Sequence, residues 1–196
     1  MRIFVALEIP DAVRERIARF IEDVRELAPN ARWVRPESLH VTLKFIGEKT
    51  PDAVEKIKET LVRVSGQASF ELAFRGCGFF PSATSARVFW VGIEENARLK
   101  DLANAVDDTI SKAGVSREER EFNPHLTLAR AGSGAPHRLR RDRGNRVFEK
   151  LGERIATLKD LEFGTMTASE FILFQSKLSP SGAHYTAIAR FTLAQS

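Results

Sequence analysis

Two tetrapeptides in the chain set an imidazole and a hydroxyl two residues apart: His40-Val41-Thr42-Leu43 and His125-Leu126-Thr127-Leu128. In a β-strand, residues i and i+2 point to the same face, so each histidine projects beside its threonine. On that parity Val41, Leu43 and Phe45 face away from His40, and Leu126 and Leu128 face away from His125. An imidazole exchanges a proton near neutral pH. A threonine hydroxyl donates to a phosphate oxygen without adding charge. Two such pairs brought face to face could run general acid–base chemistry. A neutral histidine would take a proton from water, and a protonated one would give a proton to a leaving oxygen. Each role is typically worth ~10²–10⁴-fold in rate. The chemistry needs no metal, and its pH profile would belong to the coupled pair.

The tetrapeptide alone is a weak signal, because His184-Tyr185-Thr186 repeats its first three positions. That third instance lacks the following leucine and falls in the closing strand, so His184 reads as a structural or rim residue. The segment PHRLRRDRGNR, residues 136–146, holds five arginines. It could track an RNA backbone or be a solvated loop, and His137 within it reads as exposed. Phe79, Phe80 and Tyr185 could stack on a base or could simply pack. Trp33 and Trp90 read as core or lobe-edge residues. Cys77 has no activating histidine nearby in sequence, which argues against a nucleophile. There is no HExxH, no carboxylate–histidine cluster and no phosphate-binding glycine loop. The expectation is therefore no metal, no cofactor and no use of ATP.

The elements that must position the histidines follow from periodicity. Residues 3–9 are nearly all apolar and predict a strand buried on both faces. Val13, Ile17, Phe20, Ile21, Val24 and Leu27 predict a helix over 11–28, stopped by Pro29 and Asn30. Leu39–Ile46 forms the first histidine-bearing strand. Pro51 opens a helix with Val54, Ile57, Leu61 and Val64 on one face. Strands are expected at 69–74 and 86–93, with the glycine-rich stretch RGCGFFPSATS between them as a loop or hairpin. Leu99, Leu102, Val106 and Ile110 mark a third helix, and 122–130 the second histidine-bearing strand. A Gly- and Arg-rich loop over 131–145, a fourth helix through Leu158, and strands at 166–175 and 185–193 complete the chain.

Each half of the chain thus runs strand, helix, His-x-Thr-Leu strand, helix. The pattern predicts an α+β fold with mostly antiparallel strands, two pseudo-twofold lobes facing one cleft. We read residues 1–196 as one bilobal domain with one motif, 40–43 or 125–128, in each lobe. The 196 residues are 43% hydrophobic and 29% charged, a soluble globular composition. No apolar run reaches the ~20 residues of a membrane span, and the first residues read as a strand and not a signal peptide. With one cysteine there is no intrachain disulfide, which suggests a reducing cytoplasm. A net charge of +4 suits a polyanionic ligand, although ordinary solubility accounts for it equally well.

The stretches RIFVALEIP, LHVTLKFIGE, GCGFFPSATSARVFWVGI, FNPHLTLARA and FILFQSKLSPSGAHYTAI carry a resemblance over essentially the whole chain. The sequence resembles the 2H phosphoesterase superfamily, specifically the RNA 2′,3′-cyclic phosphodiesterases also called 2′-5′ RNA ligases. The resemblance implies a bilobal fold and hydrolysis of a 2′,3′-cyclic phosphate on RNA or a nucleotide to a 2′-phosphomonoester. It implies His40 as proton donor, His125 as proton acceptor, and Thr42 and Thr127 as phosphate ligands. Arg130 matches a family arginine near the phosphate, yet strict parity puts it opposite His125. It reaches the cleft only if the strand twists, bulges or ends near Ala129. The alternatives are the reverse ligation to a 5′-hydroxyl, or an RNA-binding module without turnover. RNA ends or cyclic nucleotides are the expected partners of a monomer that does not engage membrane.

Overall fold

The computed structural model of the protein describes residues 1–132, 147–179 and 182–195. The arginine-rich segment 136–146, with His137, lies outside the described residues.

The first apolar run forms β1 (Arg2–Glu8), its five central residues all buried. Helix α1 (Asp11–Val24) buries Val13, Ile17, Ile21 and Val24, a stripe of four- and three-residue steps. A three-residue strand, β2 (Ala31–Trp33), precedes β3 (His40–Glu48). Thr50 caps α2 (Pro51–Leu61) by accepting from the Ala53 N–H at 3.3 Å, and Pro51 occupies the first helical turn, where its missing N–H costs nothing. Then come β4 (Phe70–Phe80), β5 (Val88–Ile93) and α3 (Ala97–Ser111), the last capped by Asn96 through the Leu99 N–H at 3.1 Å. Strand β6 (His125–Ala131), α4 (Glu149–Thr157), β7 (Glu162–Ala168), β8 (Glu170–Ser179) and β9 (Gly182–Thr192) follow. No helix among the described residues is long and apolar enough to cross a membrane.

All strand pairings are antiparallel. One sheet has the order β3-β1-β8-β9 and the other β2-β6-β5-β4-β7. Without its extra edge strand β2, the second order matches the first, with β6 in the place of β3 and β5 in the place of β1. The two histidine-bearing strands therefore hold equivalent positions. The lobes are not the two halves of the sequence, however. Strand β4 leaves the first half to join the second sheet, and β8 returns to the first sheet.

Two expectations about the strands need correction. The glycine-rich stretch after Phe74 is not a loop: β4 continues through it to Phe80. Gly76 takes φ +65° and absorbs a bulge, and Gly78 lies under Trp90, where a Cβ would come within 2.6 Å of the indole. The apolar run 166–175 is two strands, because the chain changes sheets at Ser169. Strand β2 was too short to give a periodic signal.

Both sheets bury one face, with the helices, in a common core. Phe89 is fully buried there, with the rings of Phe79, Trp33 and Phe20 at 5.1, 6.0 and 6.3 Å. A side chain of this kind contributes about 1.5–3 kcal/mol by leaving water. Among the described residues Lys44 is the one buried charged side chain. Its ammonium meets Asp107 of α3 at 2.5 Å and donates to the Ser116 carbonyl at 3.0 Å, tying β3 to the chain beyond α3.

Candidate active site

His40 opens β3 and His125 opens β6. Each ring is held in the same way. Nδ1 of His40 lies 2.7 Å from the Ser38 carbonyl, and Nδ1 of His125 lies 2.8 Å from the Asn123 carbonyl. A carbonyl oxygen only accepts, so Nδ1 carries the proton in both rings. In each neutral imidazole Nε2 is then the atom that gains or loses a proton. Each ring also meets an aromatic edge: Tyr185 on His40 at 5.0 Å and 86°, Phe80 on His125 at 4.9 Å and 82°. Phe4 lies 4.7 Å from His40 and continues into Phe174 and Tyr185.

Burial, chiefly, lowers the pKa of both imidazoles below the ordinary 6.5, against the opposing pull of the backbone carbonyls. The Arg130 guanidinium lowers both further, and His40 also feels the charge of His125. The two rings thus share one electrostatic environment.

The histidines line a cleft of about 710 Å³ with Thr42, Thr127 and Arg130. Among the described residues Arg2 and Arg120 line it as well, and no aspartate or glutamate does. A polyanion is favoured there. The Arg130 guanidinium lies 3.5 Å from the Thr127 hydroxyl.

A bulge brings Arg130 into the cleft. In the β5–β6 ladder Phe89 pairs with Ala129 and Trp90 with Thr127, leaving Leu128 extra. Leu128 and Ala129 are both buried, the alternation reverses, and Arg130 returns to the face of His125. Strand β3 does the same. Val5 pairs with Lys44 and Ala6 with Thr42, leaving Leu43 extra, and Leu43 and Lys44 are both buried. Phe45 therefore turns to the cleft, 49% exposed, and not to the core as strict parity expected. The Arg2 guanidinium lies over its ring at 4.9 Å.

The LigT like Phosphoesterase family profile matches the chain twice, over residues 7–90 and 91–185. The chain belongs to the LigT-like phosphoesterase family. Among its relatives, the RNA 2′,3′-cyclic phosphodiesterase of Methanothermobacter thermautotrophicus is 34% identical over 98% of this chain and 99% of its own length. The enzyme of the same name from Archaeoglobus fulgidus is 32% identical over 94% and 96%. In solved structures, E. coli LigT complexed with 3′-AMP superposes with a TM-score of 0.78 at 26% identity, covering 99% of this chain and 98% of that one. Each family match holds one His-x-Thr-Leu motif.

In this LigT-like phosphoesterase the other candidate residues separate clearly. His184 is not among the cleft-lining residues; its Nδ1 lies 3.3 Å from the Arg35 guanidinium, which also donates to the Ala183 carbonyl at 3.1 Å. Phe79 packs on Phe89 and Phe148 in the core, whereas Phe80 and Tyr185 line the cleft. Trp33 packs on Phe89 and donates to the Ala28 carbonyl at 3.1 Å; Trp90 lies against Phe80. Burial pushes the Cys77 thiol up to about 12, leaving it protonated and a poor nucleophile. Sequence reasoning missed Arg2, Phe4 and Arg120. An apolar strand such as β1 does not reveal that Phe4 and Ala6 back the cleft while Ile3, Val5 and Leu7 face the main core.

Proposed function

We propose that the chain hydrolyses 2′,3′-cyclic phosphodiesters at RNA or nucleotide ends to 2′-phosphomonoesters, with His40 and His125 as its proton-transfer groups. The observation that carries this reading is the matched pair of imidazoles. Both are fixed at Nδ1 by a backbone carbonyl, and both line one cleft that holds arginines and, among the described residues, no carboxylate. The names of the curated relatives support the choice of substrate.

Thr42, Thr127 and Arg130 would hold the non-bridging phosphate oxygens, with Arg130 meeting the charge that grows on them. His125, neutral at Nε2, takes a proton from water, and the water oxygen attacks phosphorus. The bond from phosphorus to the 3′ oxygen breaks, and His40, protonated at Nε2, gives that oxygen its proton. A bound phosphate anion opposes the downward shift of His40 and favours its charged form. The turn ends with His40 neutral and His125 protonated, and exchange with solvent resets the pair. The near-symmetry of the site leaves this division of roles to the family resemblance. One bilobal domain over 1–196, acting as a monomer in the cytoplasm on an RNA partner, completes the proposal.

The test is incubation with EDTA and a 2′,3′-cyclic nucleotide or short cyclic-ended RNA, with phosphorus NMR identifying the product. The expected product is the 2′-monophosphate, lost in His40→Ala and His125→Ala. A 3′-monophosphate product overturns the choice of bond, and full activity in either variant overturns the two-histidine mechanism.

A further inference from the structure

Lys44 is a buried cation that the proton relay does not use. The bulge in β3 turns it inward directly after Leu43. A buried ion pair such as Lys44 with Asp107 adds little stability over an apolar pair of similar volume, because the cost of taking both charges out of water offsets their attraction. What such a pair supplies is a fixed geometry.

Here that geometry belongs to segment 115–124, between α3 and β6. Val115 is buried and Phe122 packs on the core, but among the described residues 116–124 makes no backbone–backbone hydrogen bond. Three alternate residues are held by other means. The Lys44 ammonium donates to the Ser116 carbonyl at 3.0 Å. The Asp107 carboxylate accepts from the Glu118 N–H at 3.2 Å. The Glu118 carboxylate in turn accepts from the Arg120 N–H at 3.4 Å. The ion pairs of Arg117 with Asp108 at 2.7 Å and of Lys100 with Glu121 at 4.0 Å join exposed side chains, where such a pair is worth little.

Two groups of the active site ride on this segment. Arg120 lines the cleft, and the Asn123 carbonyl holds Nδ1 of His125 at 2.8 Å. Lys44 itself lies on β3, the strand that His40 opens. The ion pair thus joins the strand of one histidine to the loop that aims the other. We propose that Lys44 and Asp107 are positioning residues for the reaction: they set the segment that carries Arg120 and the Asn123 carbonyl, and so fix the tautomer and direction of the His125 ring. The proposal rests on the reading of both histidines as proton-transfer groups.

The experiment separates positioning from stability by removing the pair whole. Lys44→Met with Asp107→Leu leaves neither charge of the pair buried alone and should stay folded. Its kcat/KM on 2′,3′-cyclic AMP should fall about 10–10²-fold, as slight misplacement of reacting groups does. Nitrogen NMR of the imidazoles in alkaline buffer, where both rings are neutral, reads the tautomers. His125 should move from Nδ1–H towards Nε2–H, while His40, held by the Ser38 carbonyl, should not. Asp107→Asn in place of Asp107→Leu restores an acceptor for the Glu118 N–H and should recover part of both signals. Glu118 is exposed, so Glu118→Pro keeps the ion pair and removes only a loop donor and its carboxylate. It should shift His125 in the same direction, and it decides the question if the double variant does not fold. An unchanged His125 tautomer or an unchanged rate in the double variant overturns the proposal, as does an unmoved His125 in Glu118→Pro where only that protein folds. An equal shift in both histidines, the mark of general loosening, overturns it too. If wild type turns over no cyclic nucleotide, the hydrolytic reading fails, and the tautomers still test the positioning.

Discussion

Phe45 and Arg130 occupy the same place in two equivalent strands: each lies five residues beyond a cleft histidine and directly follows a bulged pair of buried residues. The pseudo-twofold site is therefore symmetric in its imidazoles and asymmetric in its flanks. One side offers a guanidinium and the other an aromatic ring under Arg2.

That asymmetry has a consequence for pH. Arg130 lowers the pKa of both imidazoles, in each case after burial as the larger cause. The competent free enzyme holds one histidine neutral and one protonated, so the bell of kcat/KM is centred on the acid side of 6.5. Arg130→Met removes a positive neighbour and raises both values. Both limbs of the profile should move to higher pH, while the maximum falls by about 10²–10³-fold with the loss of charge stabilisation. A pH–rate series on a cyclic nucleotide checks both effects; a lower maximum with unmoved limbs would contradict the coupling.

His40→Ala and His125→Ala should each lower kcat by about 10²–10⁴-fold. Because the two rings serve one proton relay, the double variant should be little worse than the weaker single one. Single-turnover kinetics of the three proteins measure this directly.

The buried ion pair of Lys44 and Asp107 should matter more when half broken than when removed. Lys44→Met leaves Asp107, whose side chain is 18% exposed, with the Glu118 N–H at 3.2 Å as its remaining bond. The expected loss is about 3 kcal/mol, at the low end for a broken buried pair. Lys44→Met combined with Asp107→Leu should recover most of it. Urea unfolding of the single and double variants gives the two numbers.

Gly78→Ala would place a methyl group 2.6 Å from the Trp90 ring. Overpacking of this kind costs about 1–3 kcal/mol. Trp90 lies 5.0 Å from Phe80, which meets His125 edge-on, so turnover should fall along with the melting temperature. Gly66→Ala, with open space around its Cβ, is the control and should change neither.

The sequence by itself determined the histidine–threonine pairs, the helices with apolar stripes such as Val13, Ile17 and Ile21, and the duplicated order of elements. These depend on local periodicity, and local periodicity is written along the chain. Strand parity predicted correctly as far as Thr42 and Thr127, within an unbroken alternation. It failed at Phe45 and Arg130, because a bulge at Leu43 or Leu128 is set by the partner strand and leaves no mark in its own residue types. Likewise Gly76 and Gly78 read as turn residues until Trp90 supplied the reason for the second. Tertiary structure alone decided that β4 and β8 exchange between the sheets, that Phe4 and Tyr185 meet His40, and that the Ser38 and Asn123 carbonyls fix the tautomers. Each of these depends on contacts between segments distant in sequence, or on the exact direction of a backbone carbonyl, and neither is encoded by spacing.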